Sequence, residues 1–173
     1  MIKIIQLCLF VFSLTSPAVY AYEHQHEHQQ STEKMAVEVL SYINQYRAQR
    51  HLPPLTMDKT ATREAIRHSR EMAHHQIPFG HHGFEKRMQH VYQAVPDARG
   101  GAENVAYNYK TAKIVVDGWI KSPGHHRNII GRYHLTGIGI VRDRAGKLYF
   151  TQLFVHTEPH AEVHQHNGRF FIG

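Results

Sequence analysis

The chain has 173 residues, which is enough for one domain with a full-sized core, and its formal net charge is +6 with histidine counted as neutral. The positive charges are interspersed with acids and form no basic-aromatic stripe, which argues against a nucleic-acid-binding protein. The single cysteine, Cys8, lies near the N-terminus, whereas histidine is unusually abundant, with 17 residues. The remainder of the chain therefore cannot depend on disulfides or thiolate metal ligands.

The N-terminus has the pattern of a secretory signal peptide. Lys3 precedes an apolar run over residues 4–14, and small residues follow up to Ala21. The run is shorter than the ~20 residues that a membrane-spanning helix needs. We therefore predict a signal peptide over residues 1–21, cleavage near Ala21, no membrane span, and an exported protein that is periplasmic or secreted.

The segment that follows, residues 22–32, is polar and histidine-rich, and we predict that it is a disordered tail. The first helix is predicted over residues 33–50, and the prolines at positions 53 and 54 end it. Its apolar stripe is predicted at three-residue steps, with Val37, Leu40, Ile43 and Tyr46.

A second helix is predicted over residues 58–75, with Asp58 as its N-cap and His68 packed in the core. A loop over residues 76–83 places glycines on both sides of its histidines and leads into a short helix over residues 84–92. A further helix is predicted over residues 111–121. Thr111 is expected near its cap, and its inward residues are expected to be Ile114, Val115 and Trp119.

The strands are predicted from short apolar runs with alternating or β-branched residues. Residues 103–107 suggest one short strand, and residues 136–142 and 147–155 suggest two more. The turn at 143–146 should pair the last two as a hairpin. Between helix and hairpin, residues 122–128 are expected to form a loop, because Pro-Gly interrupts the helix. A histidine-rich C-terminal tail is predicted over residues 158–173, and its last apolar residues, up to Ile172, are available to fold back.

Three motifs, taken together, resemble those of a known family. Phe79-Gly80-His81 is similar to its Phe-Ser-His, and residues 101–107 to its Gly-Glu-Asn-Ile-Ala with one inserted alanine. Residues 119–130 are similar to its Trp-x-x-Ser-Pro-Gly-His-Arg-x-Asn-Ile-Leu. The family is the CAP superfamily (the SCP/TAPS domain of cysteine-rich secretory, antigen 5 and pathogenesis-related proteins), in its bacterial branch.

The resemblance implies a CAP domain over residues 33–157. It also implies an α+β fold, a three-layer α-β-α sandwich with a small antiparallel sheet. The family's cleft carries two histidines and two acids. His81, Glu103 and His125 stand at three of these positions, whereas Ser122 occupies the position of the second acid. The resemblance therefore implies a site for Zn²⁺ or a similar divalent metal with His81, His125 and Glu103 as ligands. The residues expected to line the same cleft are His82, Asn104, Ser122, His126 and Gln152.

Three functions are compatible with this pattern. In the favoured one, the protein is a binding module for a lipid, an envelope component or a protein. In the second, it is a zinc-dependent hydrolase with Glu103 as general base; the missing second acid disfavours an enzyme. In the third, the histidine-rich ends make the chain a metal buffer.

Overall fold

The computed structural model describes residues 16–158, 164–166 and 169–171. The predicted signal peptide, up to residue 15, and Ile172 lie outside these ranges. The chain divides into two compact units between Ser31 and Thr32. The described part of the first unit is helical and belongs to α1 (Pro17–Ala48). No helix among the described residues combines the length and the apolar character that crossing a membrane requires.

The start of α1 differs from the prediction. The helix was expected to begin near residue 33 after a disordered segment, but residues 22–32 are helical in the structure. Neither glycine nor proline interrupts residues 18–48, and this stretch is rich in alanine, glutamate and glutamine, which favour a helix. Polar composition alone was therefore a poor guide to disorder here.

The second unit is an α+β sandwich with helical layers on both faces of a four-stranded sheet. The strands are β1 (Thr56–Met57), β2 (Ala98–Tyr107), β3 (Leu135–Arg142) and β4 (Leu148–Thr157), in the order β1-β3-β4-β2. The predicted hairpin is confirmed, since β3 and β4 pair antiparallel, as do β2 and β4. The short β1 pairs parallel with β3, so the sheet is mixed. A separate two-stranded sheet joins β5 (His164–His166) to β6 (Arg169–Phe171).

Alternate residues of the sheet contact the two helical layers. On one face, α2 (Lys59–Ala73) and α3 (Phe84–Ala94) share a buried cluster with Leu153 and Val155. On the other, Phe150 and Phe154 pack with residues of α1, α4 (Ala112–Lys121) and α5 (Pro123–Ile129). The period-two alternation along β4 is what divides the core into these layers.

Local helix signals are largely confirmed. Asp58 and Thr111 cap α2 and α4, because their side chains accept backbone hydrogen bonds from Ala61 and Ile114. Trp119 is buried, as predicted, but Ile114 is 50% exposed. The predicted loop over residues 122–128 is also wrong, because Pro123 begins α5. Proline at the first position of a helix needs no N–H and already has a helical φ.

The buried face of α1 also differs from the predicted stripe. Val37 is 64% exposed, whereas Val39, Ile43 and Arg47 are fully buried. Steps of three residues drift around a helix with 3.6 residues per turn, so the inward face follows alternating steps of three and four. Arg47 was overlooked because arginine is rarely buried without partners. Its guanidinium donates to the carbonyl oxygens of residues 53, 129, 131 and 133, which ties α1 to the segment after α5.

Helix α2 lies directly on β3 because two glycines leave room for it. A Cβ atom added at Gly137 or Gly139 would clash with the backbone of α2 at Ala61 or Ala65. Ser69 Oγ donates to the Gly139 carbonyl oxygen at 2.9 Å at the same contact. This close approach places His68, one residue earlier on α2, beneath the site described next.

Candidate functional site

The site is built around β2, the strand at one edge of the sheet. Adjacent residues of a strand face opposite sides, so Glu103 and Asn104 project toward different helical layers. The backbone edge of β2 is covered by side chains of the α4–α5 layer. Trp119 Nε1 donates to the Val105 carbonyl oxygen at 3.4 Å, and Asn128 Nδ2 donates to that of Glu103 at 3.1 Å. These contacts occupy acceptors that an edge strand would otherwise expose.

Glu103 is the buried acid of the site, and both of its carboxylate oxygens accept hydrogen bonds. Arg87 Nε donates to Oε2 and Arg87 Nη2 to Oε1, both at 2.9 Å. His81 Nδ1 lies 2.8 Å from Oε1. The side chains of Glu103 and Arg87 are 2% and 3% exposed. A two-point arginine–carboxylate pair of this kind is among the strongest and most directional polar contacts in proteins.

The same arginine holds the loop that presents His81. Arg87 Nη1 donates to the His82 carbonyl oxygen at 2.6 Å. Because a carboxylate can only accept, the neutral His81 ring carries its proton on Nδ1 and its lone pair on Nε2. The His81 side chain is 54% exposed. Its free nitrogen is thus a hydrogen-bond acceptor or metal ligand on an otherwise fixed ring.

On the opposite face of β2, a small amide network positions His125. Asn128 Nδ2 donates to Asn104 Oδ1 at 2.8 Å, and Asn104 Nδ2 donates to the His125 carbonyl oxygen at 3.2 Å. His125 is half-buried, and its ring centroid lies 6.4 Å from that of Trp119. Burial lowers the pKa of His125, and the charge on His81 lowers it further.

A third histidine lies beneath Glu103 and is fully buried. His68 Nδ1 is 3.1 Å from Thr151 Oγ1 and 3.5 Å from Glu103 Oε2. Burial lowers the pKa of His68 to about 3, with a smaller contribution from the charge on Arg87. The prediction that His68 is a packed core residue is thereby confirmed.

Two exposed aromatic rings continue the site along β2. The ring centroids of Phe79 and Tyr107 are 5.0 Å apart, and those of Tyr107 and Tyr149 are 5.8 Å apart. Phe79 and Tyr107 are 46% and 47% exposed, whereas Tyr149 is buried and supports them from below. We use the term cleft for four residues along this edge: Phe79, His81 and Tyr107, which are exposed, and His125, which is half-buried.

The residues predicted to line the cleft fall in several environments. Asn104 is buried and acts as a clamp, and Gln152 lies in the core, where its Nε2 donates to Thr136 Oγ1 at 3.2 Å. His126 faces α1, with Nε2 2.9 Å from Tyr46 Oη. His82 is exposed beside His81, and Ser122 is the residue before α5. Gln152 and His126 therefore contact other parts of the fold instead of His81 or Glu103.

These contacts bear on the predicted metal ligands His81, His125 and Glu103. In the part of the chain that the structure describes, no group of three or more His, Asp or Glu side chains is arranged to hold a metal ion. Glu103 does not fit the role of a ligand, because Arg87 and His81 already occupy both of its oxygens. His81 and His125 stay a predicted pair of imidazole ligands, one fewer than the three protein ligands of a catalytic zinc site.

Arg87, which controls the chemistry of Glu103, was not singled out from the sequence. The pattern that could have identified it is its position on the apolar face of α3, between Phe84 and Val91 and beside Met88. An arginine on a buried face needs an acid partner.

A surface depression of about 480 Å³ lies elsewhere, between the end of α2 and the β3–β4 turn, with His75 and Asp143 in its lining.

Comparisons with known proteins agree with this fold. The model of the cysteine-rich secretory protein family matches residues 40–154. The uncharacterized membrane protein YlbC of Bacillus subtilis is 27% identical over 145 residues, which is 82% of this chain but only 39% of YlbC. The chain thus spans well under half of this relative.

Solved bacterial structures share the fold at low identity. An outer surface protein from Borrelia burgdorferi gives a TM-score of 0.65 at 20% identity, with 73% of this chain and 96% of that chain covered. An extracellular protein containing an SCP domain from Bacillus anthracis gives a TM-score of 0.67 at 22% identity, with 76% of this chain and 43% of that chain covered. A cysteine-rich secretory protein from Staphylococcus aureus gives a TM-score of 0.62 at 17% identity, with 73% of this chain and 39% of that chain covered. With its α+β sandwich and the family match over most of its length, the chain belongs to the CAP family of cysteine-rich secretory proteins.

Proposed function

We propose that the protein is an exported binding module that holds a component of the cell envelope or of a host in the cleft. The observation that carries the proposal is the two-point pairing of Glu103 with Arg87 in a buried site. Export is supported by the names of the structural relatives, which include an outer surface protein and an extracellular protein.

The pairing disfavours hydrolysis with Glu103 as general base. A base must offer a lone pair to a water within about 2.6–3.2 Å. Both oxygens of Glu103 already accept hydrogen bonds, and the side chain is 2% exposed. Its arrangement suits a structural acid that holds Arg87 and His81 in place, and therefore fixes the loop that carries Phe79.

The groups that do reach solvent suit recognition. Phe79 and Tyr107 present two adjacent aromatic faces, and His81 offers a polar atom beside them. Binding sites commonly combine aromatic side chains with a few well-placed polar groups. The chain's net charge of +6 adds a general attraction to anionic surfaces.

The test uses two defined probes, purified peptidoglycan and phosphatidylglycerol vesicles, in cosedimentation with the full chain. We expect one of them to bind, and the Phe79→Ser/Tyr107→Ser variant to lose that binding. Ile114→Ser is the matched control, because Ile114 is equally exposed but lies on α4. Glu103→Gln should retain binding in proportion to its folded fraction. If neither probe binds, or if the cleft variant binds as well as the control, the proposal is wrong.

A further inference from the structure

Two histidines lie side by side at the opposite end of the sheet from Tyr107 and Tyr149. His156 is on β4, and His134 immediately precedes β3. Leu135 pairs with Val155, which sets His134 directly opposite His156. Their ring centroids are 5.3 Å apart, with 35° between the ring planes. His134 is exposed and His156 is half-buried, and neither residue is part of the cleft.

Hydrogen bonds orient both rings through the same nitrogen. His156 Nδ1 donates to the Arg132 carbonyl oxygen at 2.7 Å, so its lone pair is on Nε2. The Thr157 backbone N–H donates to His134 Nδ1 at 3.3 Å, and Thr157 Oγ1 lies 3.1 Å from the same nitrogen. The neutral His134 ring therefore carries its proton on Nε2. This proton must move to Nδ1, with the Thr157 hydroxyl as its acceptor, before Nε2 can bind a metal. Metal-binding histidines characteristically have the other ring nitrogen bonded to an oxygen, as His156 does.

The spacing matches the requirement of one shared ion. Zinc binds imidazole nitrogen at about 2.0–2.1 Å, which places the ion about 3.2 Å from the ring centroid. Two such rings at a tetrahedral angle have centroids about 5.2 Å apart. The observed separation is 5.3 Å. Gly100 lies opposite His156 on β2, where even an added Cβ would come no closer than 3.8 Å, so this neighbour leaves the rings room to adjust.

We infer that His134 and His156 form a surface site for a divalent transition-metal ion of the Zn²⁺, Ni²⁺ or Cu²⁺ class. Imidazole suits these ions, whereas Mg²⁺ and Ca²⁺ prefer oxygen ligands. With two protein ligands, water completes the coordination and the affinity is modest. The site is independent of the cleft and of the proposed function, because it uses neither His81 nor His125.

The probe is Zn²⁺ added to the full chain after chelator treatment, with the histidine ring nitrogens followed by ¹⁵N NMR. The two residues are assigned by the loss of their signals in His134→Gln and His156→Gln. We expect the Nε2 signals of both to shift together at one Zn²⁺ midpoint. In His134→Gln, the midpoint for His156 should rise at least about tenfold, since even an outer-shell partner is worth that much.

His74→Gln is the control, because it removes an exposed histidine far from this pair and should leave the midpoint unchanged. Mg²⁺ should shift neither signal. A dispersed amide spectrum shows that each variant is folded. The inference is overturned if either Nε2 signal is unaffected by saturating Zn²⁺, or if His156 responds identically in His134→Gln.

Discussion

Removing Arg87 tests whether Glu103 is locked in a buried ion pair. Arg87 Nη2 lies 2.7 Å from Glu103 Oε2, and the two side chains are 3% and 2% exposed. Breaking a buried pair by removing one partner typically costs about 3–5 kcal/mol, because the other charge stays buried without compensation. We therefore expect Arg87→Met to lower the free energy of unfolding by about 3–5 kcal/mol.

Urea unfolding followed by circular dichroism measures this effect. With a slope of about 2 kcal/mol per molar urea, the midpoint should fall by about 2 M. Glu103→Gln should also lower the free energy of unfolding. The decrease in the double variant should be smaller than the sum of the decreases in the two single variants. The expected coupling energy is about 2–3 kcal/mol. The double variant keeps the test informative if Arg87→Met alone does not fold, because it buries neither charge.

The matched control is the ion pair between Lys113 and Asp117, which has the same 2.7 Å separation but is 63% and 46% exposed. Its double-mutant cycle should give a coupling within measurement error, because solvent screens an exposed pair. If the Arg87–Glu103 coupling is equally small, Glu103 is effectively solvated and available for chemistry. Glu103 would then be free to serve as the general base of a hydrolase.

Three further predictions concern stability. The pKa of His68 is about 3 in the fold and about 6.5 in the unfolded chain, so the unfolded state binds more protons between these values. Stability should therefore fall from pH 6.5 toward pH 3, by up to about 1.4 kcal/mol per unit, and the urea midpoints of His68→Gln should show a flatter pH dependence. Gly139→Ala should lower the free energy of unfolding by about 1–3 kcal/mol or more, because the added Cβ forces α2 away from β3. Gly100→Ala is the control and should be tolerated, because its Cβ would have no contact under 3.8 Å. Equal thermal midpoints for the two variants would contradict this prediction. Arg47→Met should lower the free energy of unfolding by at least about 3 kcal/mol, because four carbonyl oxygens lose a charged hydrogen-bond donor. A decrease below about 1 kcal/mol in urea unfolding would show that water replaces the guanidinium as donor.

Patterns that depend on near neighbours in the chain were predicted well. The caps at Asp58 and Thr111, the hairpin of β3 with β4, and the burial of Trp119 each follow from residues within one turn or one strand. The start of α1 and the helix that begins at Pro123 were missed. In both cases polar or helix-breaking residues were given more weight than the permissive backbone around them.

The sequence by itself determined the family, the order of the longer helices and strands, and the motifs that bring His81, Glu103 and His125 toward one strand. Tertiary structure alone decided what those residues can do. Arg87 precedes Glu103 by 16 residues, and it reaches the carboxylate because α3 packs against β2, where the end of the Met88 side chain lies against Gly101. The pairing of His134 with His156 depends in the same way on strand register. A contact between distant segments is set by packing and register, and no local pattern encodes whether an acid will meet water or an arginine.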